Sequence, residues 1–96
     1  MILIEILLKK QDDEFMNFTD WETFQVRPFT KIVWLTHKSY PGKVVVGKNP
    51  DHNRLFFANI NCEEEPGKEW QIMHAFIGRL ADRSKDNLES IHLLFQ

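Results

Sequence analysis

The chain has 96 residues, 43% of them apolar and 27% charged, and a net charge of −2. This length suits one domain, and this ordinary globular composition argues against disorder. A chain of this size hides somewhat under two-thirds of its unfolded surface, so stability is expected at roughly 5–10 kcal/mol. Eight Phe and three Trp are many for so short a chain. Aromatics carry the largest burial energy per side chain, so the core is expected to be built mostly from them.

Residues 2–9 read as a strand. Ile2, Ile4, Ile6 and Leu8 fall on one face, and Leu3, Glu5 and Leu7 on the other. Apolar residues on both faces mark an interior strand. The run is broken by Glu5 and followed by Lys9, Lys10 and Gln11. No basic region precedes it and no small-residue cleavage site follows, so a signal peptide is not expected. The segment is far too short to span a membrane. Cys62 is the one cysteine, which excludes an intramolecular disulfide. A reducing, cytoplasmic setting is therefore expected, with no membrane partner.

Gln11 to Glu14 is a polar break. Thr19 followed by Glu22 matches a capping box, and Asp20 adds favourable charge in a first turn. The pattern predicts a short helix from about Asp20 to Gln25, limited by Pro28, with Trp21 and Phe24 facing inward. Residues 30–37 and 43–47 are β-branched or aromatic and read as strands. Between them, Pro41-Gly42 fits the centre of a type II turn. Lys48 to Asn53 is a loop by composition, and residues 54–60 form the next strand. Short connections make an antiparallel meander of the three.

Glu63-Glu-Glu-Pro66 is expected to open the main helix, with Pro at its first position. Trp70, Met73, Ile77 and Leu80 repeat at helical spacing, and Phe76 widens the stripe. Ser90 to Phe95 reads as a closing strand. The order is β–(short α)–β–β–β–α–β. The fold class is α+β: a single mixed or antiparallel five-stranded sheet, one long helix packed on one face, a ferredoxin-like or related α/β sandwich. The first and last strands are the most apolar and are expected at its centre.

Chemistry-bearing residues are sparse. No two of His37, His52, His74 and His92 stand three to five residues apart, so no local metal pair exists. Cys62 precedes Glu63, Glu64 and Glu65, and adjacent acids disfavour a thiolate. The acids at 12–14 and 63–65 read as solvated loop and helix-start charge. Gly42-Lys43 and Gly47-Lys48 lack the spacing of a phosphate-binding loop. No cofactor, metal or catalytic set is expected, and an enzyme is the less favoured class.

Charge is unevenly distributed. From Arg27 to Arg54 there are six bases against one acid, and the rest of the chain holds six bases against thirteen acids. Lys38, Tyr40, Lys43, Lys48, His52 and Arg54 cluster around two loops of the meander and are the candidate binding residues. A basic ribbon with an interleaved aromatic can neutralise phosphates and stack on a base. The competing expectation is lysines that guard edge strands.

Three function classes follow. The first is a non-catalytic protein-binding or regulatory domain of small inhibitor, immunity or adaptor type, since segregated charge steers a partner. The second is nucleic-acid binding through residues 27–54. The third is a small-ligand-binding protein or enzyme with a pocket between sheet and helix. A homodimer is compatible with all three. One of the three tryptophans is a candidate for an exposed contact.

Overall fold

The computed structural model describes residues 1–96. Alternating apolar residues form six strands and one helix in the order β1 (Ile2–Leu8), β2 (Phe24–Pro28), β3 (Ile32–His37), β4 (Lys43–Lys48), β5 (Leu55–Asn61), α1 (Glu69–Ser84) and β6 (Leu88–Phe95). The strands make one sheet in the order β2-β3-β4-β5-β1-β6. Every neighbouring pair is antiparallel. The meander therefore holds, and the chain is α+β with its one helix on one face of the sheet.

Period-two alternation sorts the side chains onto two faces. Ile2, Ile4, Ile6, Leu8, Val33, Leu35, Val44, Val46, Phe56, Ala58 and Ile60 are buried beneath the helix. From above, Ile72, Met73, Phe76 and Leu80 of α1 meet them. The space between sheet and helix is thus filled with packed side chains. Gly42, at φ +104°, packs closely against the end of β5 and against Ile72 of the helix. A Cβ there would lie 3.0 Å from the Asn61 carbonyl oxygen and 3.3 Å from Cys62 Cβ. The Pro41-Gly42 turn therefore needs glycine twice over, for its backbone and for its clearance.

Five expectations are corrected. The sheet has six strands, not five, because Phe24–Pro28 pairs with β3 instead of ending a helix. The short helix over 20–25 does not form. Asn17 Oδ1 accepts from both the Thr19 amide and the Thr19 hydroxyl, at 3.1 and 2.8 Å, so the intended cap is spent on a turn. Trp21 and Phe24 are nevertheless buried. The place of the first helix of a ferredoxin-like order is taken by this aromatic segment.

The main helix starts at Glu69 rather than at Pro66. Gly67 sits at φ +96°, outside the helical region, and its amide donates to Glu69 Oε2 at 3.0 Å. β6 lies at the sheet's edge, not at its centre; β1 alone of the two end strands is interior. Finally, the buried stripe of α1 is rotated from the expected one. Ile72 joins it, Ile77 stands at its margin, and Trp70 is 55% exposed.

The segment between β1 and β2 has no regular element, yet Phe15, Phe18 and Trp21 are buried there. They stack in a chain with Phe24 and Phe76, ring centroids 4.7–6.4 Å apart. Arg83 from the helix donates to the carbonyls of Phe15 and Asn17. Asn87 exchanges side-chain hydrogen bonds with the Lys10 backbone. No helix of this fold is long and apolar enough to cross a membrane.

Candidate functional site

The six candidate basic-ribbon residues divide between opposite ends of β4. Lys43 opens that strand and Lys48 closes it, about 17 Å apart at strand rise. Their positions also differ in parity, so Lys43 stands on the face away from the helix and Lys48 on the helix side. Lys38 and Tyr40 belong to the loop beside Lys43. Tyr40 stacks on His37 at 4.5 Å between centroids, and its exposed ring lies near Trp70 and His74. Burial lowers the pKa of His37. Its Nδ1 accepts from the Ser39 amide at 2.9 Å, which needs an unprotonated nitrogen.

At the other end, Lys48, His52 and Arg54 do come together, with Pro50, Asp51 and Asn53, around a shallow polar recess. Arg54 is committed internally. Its Nη1 reaches the carbonyls of Leu8 and Lys9, both at 3.3 Å, and its amide donates to His52 Nδ1 at 3.2 Å. The structure thus groups three of the six and sets the other three at a distance.

The larger feature is the face of the sheet that no helix covers. Antiparallel registers place its residues in rows across the strands. One row runs Arg27, Trp34, Val45, Asn59, Leu3, Leu94. The next runs Ile32, Gly47, Phe57, Glu5, His92, and Leu55 pairs with Leu7 beyond it. A sheet face turned to water usually reads polar. This one carries Leu3, Leu7, Ile32, Trp34, Val45, Leu55, Phe57 and Leu94, all partly or fully exposed.

Its charge is one-sided. Lys43 Nζ stands 3.8 Å over the Trp34 ring, and Phe29 packs against the same ring at 4.9 Å. Arg27 lies beside Trp34 on β2. Because β2, β3 and β4 are adjacent in space, the basic segment of the sequence becomes a basic half of the sheet. Sequence alone gave Lys43 but not Trp34 as its partner. The signal was there in the alternation of β3, whose outer face is Ile32, Trp34 and Thr36.

A second exposed patch involves Trp70, stacked edge-on to His74 at 5.0 Å. With Met1, Met73, Leu93 and Phe95 it lines a groove between the helix and β6. Cys62 is buried, with Glu64 Oε2 3.9 Å from its sulfur. The histidines are scattered over four elements and loops. Comparison with family models, curated proteins and solved structures returns no match in any of the three.

Proposed function

We propose that the chain is a non-catalytic, protein-binding domain of regulatory type, and that its binding surface is the uncovered face of the sheet. The observation that carries this reading is the half-apolar open face around Trp34, Val45 and Phe57, with Arg27 and Lys43 on one flank. Apolar area of this kind marks association sites when it is contiguous and rimmed by polar groups. The aromatic core of the patch supplies burial energy, and the flanking cations favour an acidic rim on the partner. The dispersal of Lys38, Tyr40 and Lys43 from Lys48, His52 and Arg54 weighs against one continuous phosphate-tracking ribbon. The filled space between sheet and helix weighs against a ligand pocket there.

A photo-crosslinking residue in place of Asn59, at the centre of the open face, tests this in host lysate. The control position is Arg79, on the solvent side of the helix. The expected result is a discrete protein adduct from position 59 that is absent from position 79 and weakened by Lys43→Glu. An adduct removed by nuclease, or equal labelling from both positions, refutes the reading.

A further inference from the structure

The two edges of the sheet differ in kind. β2 is five residues long, ends in Pro28 and exposes Gln25 and Arg27. Proline lacks a donor, and a short charged edge resists pairing. β6 is eight residues long and carries neither Pro nor Lys nor Arg. Its one irregularity lies near Leu88, leaving Ser90 to Phe95 in regular register with β1.

The Gln96 amide donates to the Met1 carbonyl at 3.1 Å. Backbone groups alternate in direction along a strand. Leu94, His92 and Ser90 therefore turn their N–H and C=O toward β1. Ile91, Leu93 and Phe95 turn theirs outward, where no strand of this chain receives them. The side chains of the same three residues lie on the helix side. Phe95 is 69% exposed and Leu93 37%. They form one wall of the groove whose other wall holds Trp70 and Met73. An unpaired row of backbone groups and an exposed apolar groove therefore run along the same edge.

We infer that β6 is a self-association edge, and that its occupant is β6 of a second copy, paired antiparallel about a two-fold axis through Leu93. The hydrogen-bonding row selects an extended strand as occupant. The sequence of β6 suits its own copy. With Leu93 opposite Leu93, Ile91 falls opposite Phe95 of the second copy, and all three outward residues of both copies exchange hydrogen bonds. Centring on His92 instead would pair only Ile91 with Leu93 and leave Phe95 opposite Glu89. In the Leu93 register no like charges face each other, a juxtaposition that would be destabilising. The apolar side chains of both strands join on the helix side, extending the wall beside Trp70. Because β2 is blocked, growth stops at two copies and no fibre propagates. This goes beyond the open-face reading and does not depend on it, since the edge and the face are different surfaces.

The test is sedimentation of the full chain across a dilution series, with amide hydrogen exchange at both ends of the series. The expected result is a species of twice the 11.4 kDa chain mass that dissociates on dilution. In it the Ile91, Leu93 and Phe95 amides are protected only when the protein is concentrated. Leu93→Pro removes an outward donor and no bond to β1. It should weaken association by at least about tenfold, equivalent to about 1.4 kcal/mol, and leave the far-ultraviolet spectrum unchanged. Should that variant fail to fold, Leu93→Lys carries the same expectation by placing a charge in the edge. A monomer at all concentrations overturns the inference. So does a dimer whose three edge amides exchange freely, since its contact would lie elsewhere.

Discussion

Arg83 offers the most direct measure of what holds the irregular segment between β1 and β2. Its guanidinium donates to the Asn17 carbonyl at 2.7 Å and to the Phe15 carbonyl. It also lies over the rings of Phe18, Phe15 and Trp21, at 4.7, 5.2 and 5.3 Å. Burial lowers the pKa of Arg83, and Asp20 and Asp12 oppose that shift. The cation is thus partly desolvated, and its hydrogen bonds are stronger than in open water. A hydrogen bond to a charged group contributes about 1.5–3 kcal/mol, and water can rehydrate part of what truncation exposes. Two such bonds at the low end, with about 0.5–1 kcal/mol of cation–π attraction, come to about 3.5–4 kcal/mol, and rehydration brings the loss for Arg83→Ala to about 3 kcal/mol.

At about 4–8 °C per kcal/mol for a domain this size, the melting temperature should fall by about 12–24 °C. Urea unfolding followed by circular dichroism and by tryptophan fluorescence measures it, since Trp21 is the one fully interior indole. Arg83→Lys keeps the charge but loses the fork, and should recover less than half of the loss. A change within about 0.5 kcal/mol for Arg83→Ala would place it among ordinary surface substitutions. The segment would then be held by its aromatic packing alone.

Two further outcomes follow from particular groups. His37 has a lowered folded pKa, so its contribution to stability is complete above its ordinary value of 6.5 and is lost as pH falls from there toward the folded value. Urea midpoints should therefore decline over that window, and His37→Gln should flatten the decline. On the helix, Trp70→Ala should change stability by less than about 0.5 kcal/mol, whereas Phe76→Ala should cost about 3–5 kcal/mol. Equal losses would contradict the rotated stripe.

Much of the fold was legible because it rests on local periodicity. β1, the meander β3–β5 and the long helix each follow from alternation or helical spacing over six or more residues. The errors came where a local signal competed with a tertiary one. Thr19 and Glu22 form a sound capping pattern, but Phe15, Phe18, Trp21 and Phe24 recur every three residues and are all buried by a run of turns closed by the Trp21-to-Phe18 and Phe24-to-Trp21 backbone hydrogen bonds. The free edge of β3 then takes Phe24–Pro28 as a strand, with Pro28 at its end, where a missing donor matters least. On α1, advancing about 100° per residue puts Trp70 and Ile77 about a quarter-turn from the centre of Ile72, Met73, Phe76 and Leu80. Spacing alone could not choose between those two adjacent stripes. The open-face site was legible only in part. Lys43 and Arg27 were visible as charge, but their convergence on Trp34 depends on cross-strand register.

The misplacement of β6 has a physical meaning of its own. Ile91, Leu93 and Phe95 on one face, with His92 and Leu94 on the other, make a mainly apolar strand, the composition expected of one flanked on both edges rather than of a free edge. Within one chain that strand is flanked only by β1. β2, the other edge, shows the opposite pattern, with Gln25, Arg27 and Pro28 exposed along five residues. Composition and position agree at β2 and conflict at β6. Pairing β6 with its own copy removes the conflict, because it turns the edge strand into an interior one without altering the chain's own fold. On that proposal the interior character read from the sequence would belong to the paired sheet, while the exposure of Leu93 and Phe95 is that of the single chain.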